Sequence, residues 1–208
     1  MPFDLWIAFA TASLALIVIP GPTVLLVLSY ALGQGRRVAV ASAVGVGLGD
    51  VVAMTASLLG LGALIMTSAL AFTVLKWIGA AYLLYLGVTM LRSAGSAKMG
   101  ALMRTENVSG RQVFSHAFVV TALNPKSIGF FIAFVPHFIT PQAPLAPQFT
   151  VMITTFAALG FLNALCYALL AGSLRKTIGK PRVLRNLTRG GGVALIAMSA
   201  LTASLKRS

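Results

Sequence analysis

The run 38–66 holds one charged side chain, Asp50, in an otherwise apolar or small-residue stretch. About 20 apolar residues cross the hydrocarbon core of a bilayer as a helix. In lipid, every backbone N–H and C=O must be bonded within the chain, so such a run can only be a helix or part of a closed barrel. A lone carboxylate near the bilayer centre costs about 2.5–3.5 kcal/mol, which marks Asp50 as a functional candidate by default. Glycines crowd the approach to it, at Gly45, Gly47 and Gly49.

The rest of the chain repeats the pattern. It has 208 residues, of which 58% are hydrophobic and only 9% charged. Soluble domains carry roughly a quarter charged residues, so the composition points to an integral membrane protein forming one transmembrane domain over 1–208. The net charge of +13 would suggest nucleic acid in a soluble chain. Here the basic residues collect in connecting segments with no base-reading motif, so no nucleic-acid partner is expected. One cysteine, Cys166, excludes an internal disulfide, and two scattered histidines, His116 and His137, offer no metal cluster. Neither metal nor cofactor is expected. A secretory leader is not expected either, because the first basic residue is Arg36.

Six apolar segments are predicted, at about 5–30, 38–66, 69–91, 113–139, 149–172 and 190–205. Twelve of the sixteen Lys and Arg residues fall in three alternate connections. These are the connection with Arg36 and Arg37, the loop at about 92–112, and the stretch from Arg175 to Arg189. The other two connections, 67–68 and 140–148, hold none. The positive-inside rule then makes the three basic connections cytoplasmic and puts the N-terminus outside. Lys206 and Arg207 fit an outer C-terminus poorly, and a sixth segment that failed to cross would return them inside.

Two spans are interrupted near their middles. Span one carries Pro20-Gly21-Pro22 and span four carries Asn124-Pro125-Lys126. Proline lacks an N–H, so Pro20, Pro22 and Pro125 leave the carbonyls of Leu16, Val18 and Thr121 without their helical donors. Each break opens a three-span half, about 5–91 and 113–205, and an odd number of spans per half makes the two halves antiparallel. Paired interruptions of this kind point to inverted repeats around a midplane site. The fold expected is therefore all-α: six transmembrane helices as two inverted three-helix repeats, with helices 1 and 4 broken at their prolines. Half-helices restarting near Thr23 and Ser127 would offer positive ends to a carboxylate, and the freed carbonyls would suit an ammonium group. An amino acid carries both.

At these residues the chain resembles the lysine-exporter superfamily, in its homoserine/threonine-efflux (RhtB-like) branch. The resemblance rests on Ile19-Pro20-Gly21-Pro22, on Gly45-x-x-x-Gly49-Asp50, on the run Leu75-Lys76-Trp77-Ile78-Gly79-Ala80-Ala81-Tyr82-Leu83-Leu84-Tyr85-Leu86-Gly87, and on Leu123-Asn124-Pro125-Lys126-Ser127. It covers about 5–205. It implies efflux of amino acids or close derivatives across the inner (plasma) membrane, driven by the proton gradient.

The candidate site follows from residue type and depth. Asp50 is the coupling carboxylate, exchanging protons with the two sides, or the partner of the substrate ammonium. Lys126 either holds the substrate carboxylate or forms a static ion pair with Asp50, since charges embedded in membranes usually pair. Asn124 and Asn163 are buried amides that fit either a ligand or interhelical hydrogen bonds. Tyr82 and Tyr85, three apart on one helical face, are candidates for the path, as are Pro20, Gly21, Pro22 and Pro125 around the breaks. Gly45 and Gly49 form a small-xxx-small pair that suits close helix packing, within one chain or between copies in a homo-oligomer. The function expected is secondary active export of amino acids, coupled to protons and catalysing no covalent reaction. A passive channel for small zwitterions would share the same buried polar residues.

Overall fold

The computed structural model describes residues 1–34, 38–67, 69–93, 108–140, 142–178 and 181–204. Arg36, Arg37, Lys98, Arg104, Lys180, Lys206 and Arg207 lie outside the described residues, as do the side chains of Lys76, Arg175 and Lys176. The described residues are all-helical. In chain order they form α1 (Phe3–Val18), α2 (Pro22–Gln34), α3 (Ala39–Thr67), α4 (Ala69–Ser93), α5 (Gly110–Ala122), α6 (Pro125–Ala133), a 3-10 turn (Val135–Phe138), α7 (Leu145–Ile178) and α8 (Pro181–Ser204).

The prolines act where they are expected to. The helix stops at Val18 and restarts at Pro22, and α1 and α2 meet at a 54° bend. The second break separates Ala122 from Pro125. Both restarts lie slightly upstream of Thr23 and Ser127, because proline suits the first helical position, where no N–H is needed. At α6 the start is fixed by Asn124, whose side chain caps the helix by accepting from the Lys126 backbone N–H at 3.1 Å. At α5 it is fixed by a capping box between Ser109 and Gln112.

Ala39–Gly60 of α3 and Leu145–Ala171 of α7 are long and apolar enough to cross a membrane, and α1 with α2 qualify together as one bent span. Large apolar side chains face outward along these helices, among them Leu14 on α1, Leu48 and Leu59 on α3, and Leu162 on α7. The molecule is a membrane protein whose outer surface is built for lipid.

Two of the helices outrun their apolar segments. α8 starts at Pro181, well before 190, because hydropathy registers only its uncharged half while the Arg-bearing half is equally helical. α7 likewise exceeds 149–172 at both ends.

Glycine sets the closest helix contacts. A Cβ on Gly49 would stand 2.8 Å from the Phe118 carbonyl oxygen and 2.8 Å from Thr121 Cβ, so α3 and α5 meet backbone to backbone. Gly45 does the same one turn earlier, against Phe114 and Ala117. This pair therefore serves packing within one chain. Gly87 and Gly192 play the corresponding part between α4 and α8. The main packing partners are α3 with α5, α3 with α7, and α4 with α8. Two larger clusters of buried side chains result. One is rich in phenylalanine and joins α1, α6, the 3-10 turn and α7; the other, of alanine and valine, joins α2, α3, α5 and α7. The two breaks lie between them.

Candidate functional site

Where α1 ends, its last carbonyls have no helical donor. Side chains from elsewhere in the molecule donate to four of the carbonyls at this end, and the Ile19 N–H also reaches Leu16 O at 3.3 Å. The Lys126 ammonium donates to Leu16 O at 2.9 Å and to Ile19 O at 2.8 Å. Asn163 Nδ2 donates to Ile17 O at 3.3 Å, and the Tyr167 hydroxyl to Val18 O at 3.1 Å. Lys126 reaches this position across Gly21, whose missing side chain leaves its aliphatic stem only ordinary contact distance. The cation thus neutralises the negative end of a half-helix, the arrangement the helix dipole favours. The carbonyls expected to stand open for a ligand's ammonium are occupied by the chain's own.

The start of α6 is tied to the start of α2. Asn124 Nδ2 donates to Thr23 Oγ1 at 3.1 Å, and the Thr121 hydroxyl approaches the same oxygen at 3.3 Å. These bonds hold the two breaks side by side. Between them lies a cavity of about 30 Å³, open to the centre of a water-sized sphere. That is room for a water or two and too little for an amino acid. Asp50, Lys126, Asn124, Asn163 and Gly21 all line it, together with Thr23, Thr121, Ser127 and Gly160. The remaining walls are apolar, from Leu16, Val24, Val27, Val46 and Phe156.

Asp50 is 3% exposed and projects from the middle of α3. Its carboxylate rests against the backbone of α7 at Gly160, where any Cβ would overlap Oδ2. Among the described residues it has no ion pair or hydrogen bond; Lys126, though it lines the same cavity, is engaged with α1 instead. The static Asp50–Lys126 pair is therefore not formed. An ionised carboxylate without a partner in such a setting carries a large desolvation cost, so a proton, a water or a cationic group is called for beside it.

The other candidates lie around this chamber in different ways. Pro20 is buried inside the first break, while Pro22 and Pro125 are the exposed first residues of α2 and α6. Their role is to make the breaks; none of the three lines the cavity. Tyr82 packs its ring on Gly129 of α6, Tyr85 is 63% exposed beside it, and both stand apart from the cavity lining. Several residues joined to the site carried no individual signal in the sequence. Thr23 and Thr121 are one hydroxyl each in apolar helices, and Tyr167 acts on a carbonyl 149 positions away. Gly160 is one of twenty glycines.

Residues 14–204 match the family of LysE type translocators. The chain is 34% identical over its full length, and over all of the relative, to a homoserine/homoserine lactone efflux protein of Salmonella typhimurium. It is 30% identical to an uncharacterized membrane protein of Vibrio cholerae, across 99% of this chain and all of the other. A leucine efflux protein of Salmonella typhimurium shares 31% identity over 79% of this chain and 77% of its own length. No solved structure matches the chain.

Proposed function

The chain belongs to the LysE-type translocator family, and from that premise we propose that it is a proton-coupled secondary exporter of small neutral amino acids or their derivatives. The observation that carries this reading is the Asp50 carboxylate, buried at the wall of the cavity and, among the described residues, in no ion pair. Such a group accepts either a proton or a substrate ammonium, and the two exclude each other. That exclusion is the elementary step of antiport. The substrate's carboxylate is then directed to the positive starts of α2 and α6, beside Lys126. The names of the relatives, efflux proteins for homoserine, its lactone and leucine, support an uncharged side chain against the apolar walls.

The architecture proposed for this exchange is six spans in the inner membrane: α1 with α2, α3, α4, α5 with α6, α7 and α8. Each half runs in the order broken, whole, whole. The inverted repeat is supported by helix pairing, because α3 packs on α7 and α4 on α8, each against its counterpart in the other half. The basic connections face the cytoplasm and the N-terminus faces outward. Exchange of one proton for one zwitterion moves one charge, worth about 2.3 kcal/mol per 100 mV. That sustains roughly a fifty-fold gradient, since about 1.4 kcal/mol is tenfold.

Everted vesicles loaded with the chain test the reading. Energised vesicles are expected to accumulate labelled homoserine or leucine, to lose the accumulated label on addition of an uncoupler, and to show no accumulation with Asp50→Asn. Equilibration without accumulation in the parent would mean a passive facilitator. Full accumulation by a folded Asp50→Asn variant would remove Asp50 from the coupling step.

A further inference from the structure

The cavity is narrow, about 30 Å³, and the two packed regions that flank it are built differently. Towards the N-terminus of α1 and the 3-10 turn it is sealed by Phe9, Phe130, Phe131, Phe134, Phe138 and Phe156. Their rings touch in an unbroken chain, edge to face for Phe131 with Phe156 (centroids 4.7 Å apart) and Phe9 with Phe138 (5.6 Å), and tilted for Phe130 with Phe134. Such rings form a dense dispersive plug with no polar seam.

The opposite side is closed by α2 and α5, which run antiparallel away from the breaks. Their seam leads towards the basic connections: α2 runs into Arg36 and Arg37, and Arg111 stands in the first turn of α5. Val24, Val27, Leu28 and Ala31 of α2 are buried with Ala117 of α5 in the cluster that these helices share with α3 and α7. At the cavity end the seam is pinned by Thr23 with Thr121 and Asn124. Seven residues further along α2, about 10 Å at 1.5 Å per residue, Tyr30 is buried between the helices. Its hydroxyl shares a hydrogen bond with Nδ1 of His116 on α5, and the two rings stack. Among the described residues, Tyr30 packs in a minor cluster of its own with Val38 and Val113, against the half-buried Leu26. This bond joins the two half-helices where little else does, and neither residue belongs to the cavity.

We infer that Tyr30 and His116 form a latch across the basic-loop side of the substrate route, and that the cavity opens to that side when α2 parts from α5. The latch rests on the exporter reading for its purpose, since a chamber too small for its substrate must widen somewhere. Its geometry points to the seam held by a few directional bonds between small residues, which can break and re-form as a unit. The phenylalanine plug has no such release point. Tyr30 and His116 act here as positioning residues for the gate and do not touch substrate.

The test is accessibility, which needs no transport. With the exposed Cys166 replaced in a Cys166→Ser background, Val27→Cys places a thiol on the cavity wall. Everted vesicles expose the basic-loop side to a membrane-impermeant maleimide. Tyr30→Phe keeps the ring and removes the bond, so labelling is expected to rise roughly five-fold, the factor one net hydrogen bond carries. His116→Ala is expected to give the same rise, and the double variant no more than either single one. Unchanged labelling in both single variants, or effects that simply add in the double variant, would overturn the latch. Should Tyr30→Phe fail to reach the membrane, His116→Ala alone decides, because its side chain is exposed. Raised labelling with no transport in the parent would leave the latch standing and sink the exporter reading.

Discussion

The Asp50 carboxylate and the Gly160 backbone define each other. The carboxylate has a place in the cavity wall only because α7 presents no side chain there. Gly160→Ala keeps the helix and adds one methyl group where Oδ2 now lies. Overpacking of this kind costs about 1–3 kcal/mol, and here it falls on the reacting group. The initial export rate is expected to drop at least about tenfold, with the melting temperature in detergent little changed; an unimpaired Gly160→Ala would show that the carboxylate works from another position. The two partners were unequally legible. Asp50 announces itself, because a carboxylate in an apolar run is expensive wherever it points. Gly160 is silent, because its meaning lies in what faces it across two helices, and nothing in its neighbourhood on the chain separates it from glycines that merely pack. Tyr167 is silent for the same reason, and so is the Thr23 hydroxyl, although Thr23 marks the restart of a helix.

At the scale of the helix, the breaks were legible and their filling was not. Proline removes a donor in any context, so Pro20, Pro22 and Pro125 dictate interruptions from sequence alone. Which groups then meet the freed carbonyls depends on tertiary approach. The end of α1 proves to be closed by Lys126, Asn163 and Tyr167. Lys126→Met would leave the Ile19 carbonyl without that donor, at about 1–3 kcal/mol for an unsatisfied buried group, and Leu16 O with only the Ile19 N–H. Melting in detergent separates this cage from an ion pair. The cage predicts that Lys126→Met lowers the melting temperature, that Asp50→Asn does not, and that the double variant is no more stable than Lys126→Met alone. An Asp50–Lys126 pair would make both single variants unstable and the double variant a partial rescue. The helix ends illustrate a simpler limit. α8 begins at Pro181 because Arg182, Arg185 and Arg189 are good helix residues that hydropathy discounts.

For the whole molecule, composition and the long apolar runs were enough to give an all-helical membrane protein, since soluble domains carry roughly a quarter charged residues and this chain 9%. What composition leaves undefined is which of the two flanking faces parts, and that depends on the contrast between a phenylalanine plug and a seam of small aliphatic side chains and a few hydrogen bonds. The central claim spans both faces: one carboxylate binds a proton or the substrate ammonium, never both. Linkage makes this measurable at equilibrium, because substrate binding must displace whatever proton the carboxylate holds. Purified protein in weakly buffered detergent, titrated with homoserine or leucine beside a pH indicator, reports that displacement directly. The account predicts proton release that saturates with binding in the parent and is absent in Asp50→Asn. Substrate binding to the parent with no proton released, at a pH where Asp50 is protonated, would contradict it.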